Sequence, residues 1–190
     1  IAEEETLLIL GDSISAGYGI NKKDNWVYLM QQKFYEEGNS IKLINSSVSG
    51  DTTGGGLGRL AKNLKKFKPD FVLIELGGND ALRGYSIKLI KSNLEKMIAL
   101  IKQNNSKVLL MQIRIPPNYG QKYMLAFEKI YKDLALSEEV YLMPFMLEEI
   151  GINSELMQPD GIHPNKKAQS LIAKDVKKNI DKFLLINQSN

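Results

Sequence analysis

A chain of 190 residues, 43% apolar and 25% charged, is expected to fold as one domain (1–190) with a buried core. Its net charge of +3 comes from dispersed lysines without interleaved aromatics, so nucleic acid is not an expected partner. The absence of cysteine and the single histidine, His163, exclude a thiol nucleophile, a disulfide and a thiolate or multi-histidine metal site. No run approaches the ~20 apolar residues of a membrane span, so stable membrane insertion is not expected either.

Leu7-Leu8-Ile9-Leu10 reads as a buried strand, and Gly11 permits a sharp exit toward Asp12 and Ser13. Trp26, Val27, Leu29, Met30 and Phe34 fall at helical spacing before the stop signal Gly38. Ile41–Ile44 is a short strand that runs into the polar loop Asn45–Thr53 around Gly50. Leu57, Leu60, Ala61, Leu64 and Phe67 mark a helix that Pro69 ends. Phe71–Leu76 is a third strand, followed at once by Gly77-Gly78-Asn79-Asp80. Ile87, Ile90, Leu94, Met97, Ile98 and Ile101 line a long helix, and Val108–Ile113 is the fourth strand. After the loop Arg114–Gly120 come a helix over Lys122–Leu136, a weak strand Val140–Leu142 and an irregular stretch over 144–158. The turn Asp160-Gly161-Ile162-His163-Pro164 precedes a last helix carrying Ala168, Leu171, Ile172, Val176, Ile180 and Phe183. The tail Asn187–Asn190 is polar and expected to fray.

Alternation of strands and helices predicts a parallel sheet covered on both faces. Right-handed crossovers then gather the strand-to-helix loops at one edge, where open α/β sheets bind ligands. Ser13 at the start of a helix there is either an N-cap or a nucleophile beside free backbone N–H groups. His163 is the one imidazole available as a general base, and Asp160 lies close enough to fix its tautomer. The plainer alternative is a surface histidine whose Asp-Gly and Pro neighbours only make a turn. Candidate oxyanion donors are the backbone N–H groups of Ser13 and Gly50 and the amide of Asn79; a turn glycine and a helix cap are their plainer readings. Gly56-Leu57-Gly58-Arg59-Leu60-Ala61, with Glu75 beyond it, imitates a dinucleotide fingerprint. It begins well past the end of its strand at Ile44, too far for the tight turn that motif requires.

Taken together, Gly11-Asp12-Ser13, Gly50 in Ser49-Gly50-Asp51, Gly77-Gly78-Asn79-Asp80 and Asp160-Gly161-Ile162-His163-Pro164 resemble the four blocks of the SGNH (GDSL-type) hydrolases. The stretches 8–13, 75–84 and 110–116 are similar to the bacterial thioesterase/protease/lysophospholipase branch of that family. The resemblance implies a flavodoxin-like three-layer α/β/α sandwich with a five-stranded parallel sheet of order 2-1-3-4-5. It implies Ser13 as nucleophile, His163 as base, Asp160 as its orienter, and Ser13, Gly50 and Asn79 as oxyanion donors. It also implies a small-molecule acyl ester or thioester substrate, no metal or organic cofactor, and a periplasmic or secreted site of action after leader removal; a cytoplasmic location stays open. A monomer is expected. The Gly54-Gly55-Gly56 run and the segment 154–158 depart from the family pattern. Asp12, Leu82, Ile115 and Pro116 are candidate substrate contacts, the last three because apolar side chains stand in loops expected to wall an acyl groove. The alternative for Ile115 and Pro116 is that they turn inward and complete the core. A carbohydrate acetylesterase and a non-catalytic flavodoxin-like binding module are the rival functions.

Overall fold

Apolar runs bounded by polar turns become five strands: β1 (Thr6–Gly11), β2 (Lys42–Asn45), β3 (Phe71–Glu75), β4 (Lys107–Met111) and β5 (Tyr141–Met143). A computed structural model describes residues 5–188 and defines this architecture. The strands form one parallel sheet of order β2-β1-β3-β4-β5. Leu7–Leu10 of β1 and all of β3 are buried. Strands covered on both faces have no solvent side, which is why their sequences run apolar without alternating. Register pairs Leu8 with Val72 and Gly11 with Glu75, so β1 and β3 end side by side.

Helices α1 (Ser13–Ala16), α2 (Trp26–Glu36), α3 (Thr53–Phe67), α4 (Gly78–Leu82), α5 (Ile87–Gln103), α6 (Gln121–Ser137) and α7 (Lys166–Gln188) complete the described chain. The sheet order and right-handed crossovers put α2 on one face and α3, α5 and α6 on the other. Accordingly α2 packs against α7, α3 against α5, and α5 against α6. This is the flavodoxin-like sandwich expected from the sequence. Side chains of Asn25, Thr52 and Ser86 cap α2, α3 and α5 by accepting the N–H of Val27, Gly55 and Leu89. Among the described residues no helix is long and apolar enough to cross a membrane.

Some boundaries differ from the sequence reading. β4 stops at Met111 rather than Ile113, and the Gln112 N–H then donates to the Met143 carbonyl. α3 already begins at Thr53, so the glycine run forms its first turn. The dinucleotide-like stretch from Gly56 therefore lies within the helix and makes no phosphate loop. α7 runs through Asn187 to Gln188, with the Asn187 side chain bonding the Phe183 carbonyl; the rest of the predicted tail, Ser189 and Asn190, lies outside the described residues.

The reversal from β3 into α4 passes through Gly77 at φ +120°, where a side chain is strained. A Cβ there would sit 2.0 Å from the Tyr131 hydroxyl, which donates to the Leu76 carbonyl at 2.8 Å. Space and backbone conformation thus both require glycine at the entrance to Asn79.

Candidate active site

β1 delivers Ser13 to the first position of α1, and the cap of that single turn is Asp12, not Ser13. The Asp12 carboxylate accepts the Ile14 N–H at 3.0 Å. Gly17 closes the turn in a left-handed conformation, and the Gly17 and Tyr18 N–H groups both donate to the Ser13 carbonyl. Relieved of capping, the Ser13 hydroxyl points elsewhere: His163 Nε2 lies 2.9 Å from its Oγ.

His163 sits in a turn organised by Asp160. One Asp160 oxygen accepts the N–H groups of Ile162 and His163 at 2.9 and 3.0 Å; the other lies 2.7 Å from His163 Nδ1. These bonds, led by those from His163, hold the Asp160 carboxyl down at about 2. An ionised carboxylate only accepts, so Nδ1 carries the ring proton and Nε2 is left to accept from Ser13. The imidazole is mostly covered, with 16% side-chain exposure, and is not the free surface histidine of the plainer reading.

Gly50 lies in the turn closed by the Asp51 N–H on the Val48 carbonyl. Arg59 of α3 anchors this loop: it bonds Asp51 and Ser46 and reaches the Gly11 carbonyl at 3.2 Å. The backbone N–H groups of Ser13 and Gly50 find no acceptor among the described residues. Asn79 stands inside α4, whose cap position is Gly77, so it is not the helix cap either. Its Nδ2 donates to the Asp51 carbonyl at 2.9 Å and to Asp12 at 3.1 Å. The amide is thereby held between the nucleophile turn and the Gly50 loop. In this resting arrangement both of its hydrogens have partners.

Buried acids underlie the site. Burial pushes the Asp12 carboxyl up to about 6, offset by the Ile14 N–H and by His163. Glu75, at the end of β3, is pushed well above the usual carboxylate range by burial and by the Asp12 charge. It accepts the Ser15 hydroxyl at 2.6 Å and the Asp12 N–H at 3.3 Å. Asp80 accepts both the N–H and the hydroxyl of Thr53, at 2.8 and 2.5 Å, joining α4 to the start of α3. Sequence reasoning passed over both roles. A lone acid closing the apolar run of β3 was the available signal for Glu75.

The candidate substrate contacts divide. Pro116 is exposed and Leu82 half-buried. Ile115 is 7% exposed and belongs to the apolar core, which favours the alternative that it turns inward to complete the packing. Its apolarity reflects packing beneath a short loop. Asp12 is also buried, and both its oxygens are committed to protein groups, so it serves the site from below. Among the described residues no group of three or more His, Asp or Glu side chains is placed to hold a metal ion.

The profile of the GDSL-like lipase/acylhydrolase family matches residues 9–171. An arylesterase of Vibrio mimicus is 49% identical over 180 residues, covering 95% of this chain and 90% of that one. The thioesterase 1/protease 1/lysophospholipase L1 of Escherichia coli K12 is 45% identical over 172 residues, covering 90% and 81%. The psychrotrophic esterase EstA of Pseudoalteromonas sp., solved in a form inhibited by monoethylphosphonate, superposes with a TM-score of 0.93 at 43% identity, covering 95% of this chain and 98% of that one. A parallel 2-1-3-4-5 sheet, a serine at its carboxyl edge and these likenesses agree: the chain belongs to the GDSL-like lipase/acylhydrolase family.

Proposed function

We propose that this chain hydrolyses acyl esters and thioesters through an acyl-enzyme on Ser13. The observation that carries the reading is the unbroken line from Asp160 through His163 to Ser13, at 2.7 and 2.9 Å. The Ser13 and Gly50 N–H groups, which find no acceptor among the described residues, are the donors this reading assigns to the oxyanion. His163 Nε2 takes the Ser13 proton as Oγ attacks the substrate carbonyl. The oxyanion that forms is met by the Ser13 and Gly50 N–H groups and by Asn79, whose amide shares a hydrogen with it. Collapse expels the alcohol or thiol, which takes the proton from Nε2. Water then attacks the acyl-serine, gives its proton to the same nitrogen, and the acid leaves as that proton returns to Oγ. Asp160 keeps the productive tautomer and stabilises the imidazolium throughout.

Fatty acyl thioesters, lysophospholipids and aryl esters are the substrate classes this reading favours, by likeness to relatives with those names. One domain carries the activity, supported by a single sheet and one continuous core. All five residues proposed for the reaction and the oxyanion lie in this one chain, so the site needs no second copy; a working monomer is the reading, and light scattering tests it. Export to the periplasm is favoured by the branch resemblance, and cell fractionation of the natural host tests it. A small alkyl phosphonate should add covalently to Ser13 of the wild type. Ser13→Ala should prevent the adduct, and Ser13→Ala and His163→Ala should each remove nearly all turnover of p-nitrophenyl esters in a folded protein. Substantial turnover by folded Ser13→Ala overturns the mechanism.

A further inference from the structure

We propose that Tyr18 is a positioning residue for His163, fixed in that role by Gln158; the proposal rests on His163 acting as the base of Ser13. The Tyr18 and His163 ring centroids are 4.4 Å apart, with the rings tilted by 35°. Tyr18 is itself 53% exposed, so the core does not dictate its place. Local bonds do. Its N–H donates to the Ser13 carbonyl at 3.0 Å, and its carbonyl accepts Gln158 Nε2 at 2.8 Å. Gln158 also donates to the Pro164 carbonyl at 3.1 Å, and its N–H donates to the His163 carbonyl at 2.7 Å. One glutamine thus stitches the nucleophile segment to the histidine turn. The fit is close: a Cβ on Gly19 would lie 2.6 Å from Gln158 Oε1.

The reaction explains the need for such a stitch. Once Ser13 is acylated, its Oγ has no proton to donate, and the Ser13–His163 bond is lost. The imidazole must nevertheless stay over the site to activate water. Asp160 cannot secure it to the body of the protein, because it belongs to the same turn. The Tyr18 face and the Gln158 bonds hold that turn against the nucleophile segment while the serine is blocked.

The test compares Tyr18→Leu, Tyr18→Phe and Gln158→Glu with the wild type on p-nitrophenyl acetate, butyrate and octanoate. Folding is checked by circular dichroism. Loss of an aromatic contact of this kind lowers kcat by about two- to tenfold. The expected fall in Tyr18→Leu is the same factor for all three esters, with KM changed less, and Tyr18→Phe restores the wild-type kcat. Gln158→Glu, which keeps the shape but removes the Nε2 donors, lowers kcat in the same uniform way and serves if the leucine variant does not fold. A kcat unchanged in both tests, a loss that lies in KM and grows with acyl length, or a phenylalanine variant as poor as leucine overturns the proposal. Phosphonate labelling of wild-type Ser13 is measured first. Its failure would count against the triad itself, whereas normal labelling and turnover in Tyr18→Leu count against Tyr18 alone.

Discussion

Replacing Asp12 by asparagine should make the fold more stable and the enzyme slower. Asp12 is 5% exposed, and burial raises its carboxyl from 3.8 to about 6. A carboxyl that ionises later in the folded than in the unfolded state binds more protons when folded, so its contribution falls as pH rises from about 4 to 6. At 1.36 kcal/mol for each tenfold change in proton affinity, the full cost is about 3 kcal/mol. Roughly 1 kcal/mol of it is already present at pH 4.5, because the unfolded carboxyl ionises first. Asp12→Asn carries no charge to bury and keeps an oxygen for the Ile14 N–H. Glu75 feels the Asp12 charge as well, so removing that charge eases its burial too and moves the difference in the same direction. The stability gap between variant and wild type should therefore widen by about 2 kcal/mol between pH 4.5 and pH 8. With a urea m-value of about 2–3 kcal/mol/M, that is a relative midpoint shift of roughly 0.7–1 M. At pH 8, where Asp12 is ionised, kcat should fall on the order of tenfold, because Asn79 loses a carboxylate acceptor. Urea titrations at the two pH values decide the matter. A gap of the same size at both would show that Asp12 is not ionised at a cost in the folded protein.

Asn79→Ala should lower kcat by on the order of 10²–10³ with little effect on KM, since the amide acts on charge present only in the transition state; steady-state kinetics with an unchanged kcat would leave Asn79 a structural residue. Gly77→Ala should destabilise by about 2–5 kcal/mol through backbone strain and displacement of the Tyr131 hydroxyl. In denaturation of the double variant with Tyr131→Phe the penalties should not add, because the nearest clashing atom is gone; strict additivity would refute the contact. Ile115→Asp should lower the melting temperature by about 10 °C, the result of burying an unpaired carboxylate. A stable variant with selective loss of long-chain activity would restore Ile115 to the groove.

The strands and the main helices were legible because each follows from a simple repeat, apolar runs for doubly covered strands and helical spacing for the layers, whereas the order of the strands in the sheet came only through the family resemblance. The residues of the proposed triad were legible for a different reason, since serine, the one histidine and its neighbouring aspartate carry chemistry that few other patterns supply. What escaped were the relations that depend on distance in space. Nothing local tells that Gln158 meets the Tyr18 carbonyl, 140 positions away. Nor does a loop sequence tell whether an isoleucine faces a groove or the core: both readings of Ile115 stood in the sequence, and its 7% exposure favours the core. Ser13 and Asn79 each carried a capping alternative that fell only when Asp12 and Gly77 were seen in those cap positions.

The separation of Ser13 from His163 by 150 positions has a consequence for synthesis. The serine is made within the first turn after the opening strand, but its proposed activator arrives only after the fifth strand and the irregular stretch beyond it. A growing or truncated chain that stops short of His163 holds the attacking group without the base, and so is chemically silent toward the acyl compounds around it. On the proposed mechanism, activity waits until the turn that carries His163 has folded back beside Ser13. If the proposed roles hold, the order of the chain delays hydrolysis until the sheet is assembled and the His163 turn is in place.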